Sequence, residues 1–248
     1  MNSAAIYGRD AELEQLRQLV SSRRSFLLHG PAGVGKTLLL KRLAGEVPGM
    51  VVCDESSSSQ TVFRALAAGL FARQNRHVLQ ACGRSGLNAI KEKSAVSIRG
   101  IVADALREAS YWIVLDHLKS SSQSFAVSLK DVCNETATPL IAVARSAHME
   151  DVGFLLAIFS DRSEKYALRN FDSDTAREFA MRAAQEMRLN AANRDETIQK
   201  IVHYSKGNPG AILAMVEMAA SPKYVSGGHV KLSPLYIDFR LRWGADHG

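Results

Sequence analysis

Apolar residues follow two alternating rhythms along the chain. Short, nearly unbroken apolar runs lie at 25–29 (Ser-Phe-Leu-Leu-His), 50–54, 111–116, 139–146 and 166–168, each of strand length. Between them, apolar residues recur at helical spacing. Leu13, Leu16, Leu19 and Val20 share one face of 11–20, with Asp10 placed to cap it. Val62, Phe63, Leu66, Ala67, Leu70 and Phe71 share a face of 60–73, and Ile101, Val102, Ala105 and Leu106 one of 98–109. Further helices are expected from 38 onwards, at 125–133 and at 149–159, the last with a strongly apolar face. Strands alternating with helices predict a parallel sheet covered on both sides. Residues 74–97 read as a loop joining two helices, or alternatively as an insertion that contacts a partner.

From Phe171 the rhythm is helical throughout, with no strand signal. Helices are expected at 176–187, behind the cap-like Asp172-Ser173-Asp174-Thr175, at 195–205 and at 211–220. Gly207-Asn208-Pro209-Gly210 breaks the chain before the third. The tail ends in an alternating run at 235–243 that reads as a strand or an exposed recognition segment. The expected division is a core over 1–168, a helical lid over 169–221 and a C-terminal extension over 222–248.

The first strand runs into Gly30-Pro31-Ala32-Gly33-Val34-Gly35-Lys36-Thr37, which fits G-x-x-x-x-G-K-[ST], and Leu38 opens the apolar run of the following helix. Glycines let such a loop fold into a nest of backbone N–H groups facing phosphate oxygens, with a positive helix N-terminus behind them. Lys36 is placed to reach the β- and γ-phosphates, and the Thr37 hydroxyl to bind Mg²⁺. The run Tyr111-Trp112-Ile113-Val114-Leu115 delivers Asp116 at its end, the Walker B pattern for an acid that holds the same ion. An Asp closing a strand is also an ordinary turn residue.

Gly8-Arg9-Asp10-Ala11-Glu12-Leu13 matches the "GRxxEL" box that precedes the first core strand in P-loop ATPases of the AAA+ and STAND classes, including their NACHT/NB-ARC-like and archaeal-ATPase-like members. The chain resembles these classes over about 5–220. The resemblance implies a three-layer P-loop NTPase fold with a helical lid, and ATP or ADP with Mg²⁺ as ligands. It implies that Ile6, Tyr7 and Gly8 wrap the adenine with Arg9 bracing that turn. Arg145, ending the fourth strand, would be a sensor facing the γ-phosphate, and Gly207-Asn208-Pro209 would be the GxP motif whose Pro209 meets the nucleotide. Read alone, Arg145 is equally a solvated strand-exit residue, and the Gly-Asn-Pro run a plain turn. Hydrolytic members often carry Glu or Asp directly after the Walker B acid; here that position is His117. Glu55, Asp54 or a residue of a partner subunit could orient water instead, and otherwise hydrolysis is slow. No guanine-specific N-K-x-D stretch competes with adenine.

Composition changes little of this. With 46% hydrophobic and 23% charged residues among 248, the chain is of ordinary globular type. Cys53, Cys82 and Cys133 are far apart, which argues against a disulfide framework or zinc site and for reduced thiols in a cytoplasmic protein. No signal-peptide pattern opens the chain, and no apolar run is long enough to cross a bilayer. A net charge of +6 permits contact with DNA without requiring it, since no block of five or six like charges stands out. The expected partner is a protein or further copies of the chain. Three functions remain: a nucleotide-controlled switch or assembly ATPase, a DNA-associated ATPase of transposition or replication type, and a small-molecule kinase.

Overall fold

A computed structural model describes residues 7–54, 56 and 58–247. The described chain divides into two compact parts. An α/β part comprises Leu13–Gly30 and Lys36–Ala167. A helical part comprises, of the described residues, 168–247 together with 7–12 and 31–35.

In the α/β part, five parallel strands β1 (Phe26–His29), β2 (Met50–Cys53), β3 (Trp112–Leu115), β4 (Leu140–Ala144) and β5 (Lys165–Ala167) line up in the order β2-β3-β4-β1-β5. Phe26 lies opposite Ile141, Leu28 opposite Tyr166 and Val51 opposite Ile113. All of β3 and β4 is buried, as expected when helices cover both faces of a parallel sheet. The helices are α1 (Asp10–Ser21), α2 (Lys36–Glu46), α3 (Ser59–Ala72), α4 (Arg76–Cys82), α5 (Asn88–Glu92), α6 (Ala95–Arg107), α7 (Gln123–Thr136) and α8 (Met149–Val152). The helix α1 starts in the helical part and continues into this one. Ser58, Ser94 and Ser122 cap α3, α6 and α7 by accepting a backbone N–H, each worth about 1 kcal/mol. The core gathers Phe63, Leu66, Leu70, Val102, Leu129 and Phe159, largely the residues that helical spacing selects.

Two stretches depart from expectation here. Residues 74–97 hold α4, a 3-10 turn at Gly83–Ser85 and α5, rather than a plain loop. The Asn75 side chain accepts the N–H groups of His77 and Val78 and starts α4, and Gly83 ends it. The apolar stretch 149–159 is not one helix: α8 stops at Gly153, and Phe154–Ile158 form a 3-10 turn. A side chain at Gly153 would meet the backbone of Ser121 at 2.2 Å, so close packing fixes the break.

In the helical part, α9 (Ser173–Glu186), α10 (Arg194–Ser205) and α11 (Pro209–Ala220) are followed by a two-residue-per-strand hairpin, β6 (Val225–Ser226) and β7 (His229–Val230), and by α12 (Leu232–His247). Their apolar cluster includes Ala180, Ile201, Ile212, Met215, Leu235 and Phe239. The tail is therefore helical where alternation suggested a strand or an exposed recognition segment, and the small hairpin is an addition to an otherwise helical region. Leu235 and Phe239 are buried one turn apart, whereas Ile237 and Leu241 are 58% and 70% exposed. Among the described residues no helix is long and apolar enough to cross a membrane.

Candidate nucleotide-binding site

The strand order gives the candidate residues their places. β3, β4 and β1 are successive neighbours, and their C-terminal ends release Asp116, Arg145 and Gly30 on one edge of the sheet. Ligands of open α/β sheets bind at this edge. The turn after β3 is pinned on both sides. Asp116 N–H donates to Cys53 O at 2.9 Å, and Leu118 N–H to Val143 O at 2.8 Å. Asp116 is only 2% exposed, and its Oδ1 accepts the His117 N–H at 2.9 Å. His117 adopts φ +52°, and its side chain is 68% exposed with Nε2 3.6 Å from Asp116 Oδ2.

Lys36 begins α2, Thr37 follows it half-buried, and Leu38 is exposed. The Lys36 ammonium donates to Gly30 O at 2.7 Å. Burial pushes its pKa down to about 8. The Asp116 carboxylate opposes that shift, Arg145 adds to it, and Asp151 opposes it. The α/β part thus brings Lys36, Asp116 and Arg145 within electrostatic reach of one another. Burial disfavours the charged form of the ammonium there, a cost that an incoming phosphate would offset. Sequence reasoning missed Asp151, which sits in α8 and accepts the Ser146 hydroxyl at 2.5 Å. Its signal was hidden by reading 149–159 as one surface helix. His29, the last residue of β1, was also passed over; burial, then His148, Lys165 and Lys36, lower its pKa.

The rest of the loop belongs to the helical part, where three successive carbonyls are held. Asn208 Nδ2 donates to Ala32 O at 2.8 Å, Gly210 N–H to Gly33 O at 2.9 Å, and an Arg9 guanidinium nitrogen to Val34 O at 3.2 Å. C=O and N–H point oppositely across a trans peptide, so the N–H groups of Gly33, Val34 and Gly35 face away from these donors. Val34 N–H turns to Pro31 O at 3.4 Å. A Cβ on Gly35, which has φ +104°, would meet nothing within 4 Å, so the loop is open there. Pro31 is exposed and Ala32 half-buried, and Pro209 is buried as the first residue of α11.

Arg9 is 6% exposed. It also donates to Arg169 O at 2.7 Å, pairs with Glu12, and lies 4.2 Å over the Phe171 ring. It reaches the phosphate-type loop itself, a contact that sequence reasoning did not identify. Tyr7 donates its hydroxyl to Glu178 at 2.5 Å and stacks on Phe179 in α9. Gly8 abuts Thr175 and Phe171 so closely that an added methyl would overlap. Ile6 and Glu55 lie outside the described residues.

Comparison with known proteins bears on the family and the fold. The family model described as "AAA ATPase domain" matches residues 5–143. No curated protein matches the chain in sequence. Among solved structures, the Walker-type ATPase PABY2304 of Pyrococcus abyssi is similar with a TM-score of 0.61 and 18% identity over 86% of this chain and 67% of that one. The ORC1 protein of Aeropyrum pernix in complex with DNA gives 0.60 and 16% over 96% and 66%. A STAND protein with a tetratricopeptide-repeat sensor from Pyrococcus horikoshii gives 0.57 and 13% over 98% and 33%. The chain thus spans from one third to about two thirds of these structures, whose likeness establishes the shared P-loop fold. The matched family model, extending from the Arg9 segment through the phosphate-type loop and Asp116 to β4, shows that the chain belongs to the AAA ATPase domain family.

Proposed function

We propose that the chain binds ATP with Mg²⁺, hydrolyses it slowly, and uses the nucleotide state to change its helical part or its assembly with a protein partner or further copies. The observation that carries this reading is the tether of Ala32, Gly33 and Val34 carbonyls to Asn208, Gly210 and Arg9. A loop whose amide side meets phosphates and whose carbonyl side is held by the helical part cannot change shape without affecting both. Thr37 and Asp116 offer two hard oxygen donors, the small protein contribution that suits an ion keeping several waters and phosphate oxygens. The ion would supply charge neutralisation at the β- and γ-phosphates. Lys36 would hold the same oxygens, and Arg145 would report the terminal phosphate through charge-assisted hydrogen bonds. Adenine would meet the segment of Ile6, Tyr7 and Gly8, with Pro209 closing on the nucleotide.

Phosphate release and light scattering test this together. Turnover is expected on the order of 10⁻² s⁻¹ or less, far below the ~10 s⁻¹ median of enzymes, and EDTA should abolish it. Size or shape should differ between ADP and a non-hydrolysable ATP analogue. Hydrolysis that survives EDTA contradicts the metal site, and identical scattering contradicts the switch.

One observation favours DNA as a partner. Residues 73–99 carry six basic side chains (Arg73, Arg76, Arg84, Lys91, Lys93 and Arg99) and one acid, Glu92, a concentration that the scattered spacing conceals. Arg76 pairs with Glu108, and Arg99 with Asp131 and Glu135. Arg84, Lys91 and Lys93 have no ion-pair partner among the described residues. If these three meet phosphates, duplex affinity should fall roughly 40-fold between about 50 and 200 mM salt, from a slope near 0.9 per contact. Charge reversal at Arg84, Lys91 and Lys93 should remove the gel shift. A shift that persists unchanged excludes this surface.

A further inference from the structure

One of the hydrogen bonds that tether the loop, Gly210 N–H to Gly33 O, lies against an aromatic ring of the C-terminal helix. Trp243 completes the α12 face of Leu235 and Phe239, at a spacing of four residues, and stacks on Phe239 with centroids 5.4 Å apart. Its six-membered ring rests on two glycines. A Cβ added to Gly33 would lie 2.9 Å from Trp243 Cη2, 3.0 Å from Cζ2 and 2.8 Å from Asn208 Oδ1. One added to Gly210 would lie 3.1 Å from Cη2 and 2.9 Å from Gly33 O. Only bare backbone admits the ring this close, and Gly33, at φ +74°, also has a conformation that side chains disfavour. The ring therefore covers the place where Gly210 N–H meets Gly33 O. Hydrogen bonds shielded from water hold their geometry better than those open to competition from solvent.

We propose that Trp243 is a positioning residue for the phosphate-type loop. By sealing the carbonyl edge of Gly33 against α11, it fixes the peptide planes whose opposite edges present N–H groups to the nucleotide phosphates. This assigns the C-terminal helix a part in nucleotide binding although no residue of α12 belongs to the loop or to the Walker B strand. The inference rests on the proposed role of the loop as a phosphate cradle.

The test compares the parent chain with Trp243→Ala and Trp243→Phe, measuring Mg-ATP affinity by calorimetry beside circular dichroism and thermal unfolding without nucleotide. The alanine variant should bind at least tenfold more weakly while remaining folded, and the phenylalanine variant should recover to within about threefold of the parent. Equal affinity in the folded alanine variant overturns the proposal. Should the alanine variant not fold, ¹⁹F spectra of the 5-fluorotryptophan-labelled parent decide. Its two tryptophan resonances, Trp112 and Trp243, are assigned with the phenylalanine variant. Saturating Mg-ATP should shift the Trp243 signal, and an unmoved signal overturns the proposal. Failure of the parent itself to bind ATP would instead remove the underlying function, so the two failures are distinguishable.

Discussion

Replacing Lys36 with alanine should eliminate measurable Mg-ATP binding while leaving the protein folded. The Lys36 ammonium donates to Gly30 O at 2.7 Å, and burial pushes its pKa from 10.5 down to about 8. The fold thus carries this charge at a cost. Because the folded pKa lies below the unfolded one, the cost is fully present below pH 8 and relaxes as the pH rises from 8 towards 10.5. Alanine removes the cost, so thermal stability should hold or rise slightly. Binding moves the other way. Loss of charge-assisted contacts to phosphate at about 1.5–3 kcal/mol each predicts an affinity at least a hundredfold lower. The parent should also show a pH signature. Phosphates return the Lys36 pKa upwards, so binding above pH 8 takes up a proton and affinity falls as the pH climbs past 8. Calorimetry in buffers of different ionisation enthalpy reads that proton directly. Unchanged affinity in the alanine variant would refute the nucleotide assignment.

The sequence made the α/β core legible because its central strands β3 and β4 are short, wholly apolar and buried on both faces. Runs such as Trp112–Leu115 admit few other readings. Motifs and the family resemblance put Lys36, Asp116 and Arg145 at one site in expectation, and the structure places Asp116 and Arg145 directly after the neighbouring strands β3 and β4 and Lys36 at the start of α2. What failed was local. Leu235, Ile237, Phe239 and Leu241 alternate along the sequence, yet burial selects only Leu235 and Phe239, and the four-residue repeat with Trp243 wins as a helix. In residues 74–97, charge and glycine obscured two helices too short to show a full apolar face. The tethers from Arg9, Asn208 and Trp243 to the loop were not legible at all. They join positions some 25 to 210 residues apart, Arg9 and Asn208 through backbone carbonyls and Trp243 through bare glycine backbone, none of which has a residue-type signature.

A carboxylate in place of His117 should speed hydrolysis. His117 follows the buried Asp116 in a left-handed turn, with its ring 68% exposed and its Nε2 3.6 Å from Asp116 Oδ2. The side chain is therefore near the acid expected to face Mg²⁺, but it lacks the carboxylate that commonly activates water in this position. Glutamate needs no turn conformation beyond the one histidine already adopts, and its oxygens reach a similar distance from the backbone. General-base catalysis typically contributes 10²–10⁴-fold. A site not built around the new carboxylate should realise only part of this, so we expect His117→Glu to raise phosphate release about tenfold with little change in the ATP concentration needed for half-maximal rate. His117→Ala supplies the control. If the imidazole takes no part, alanine leaves turnover unchanged while glutamate raises it. If the imidazole is already the base, alanine lowers turnover and glutamate gains little. A third pattern, with both variants matching the parent, would assign water activation to another acid. Asp54, directly after β2 on the strand next to β3, is then the residue to replace, since its loss should remove the turnover that His117 does not control.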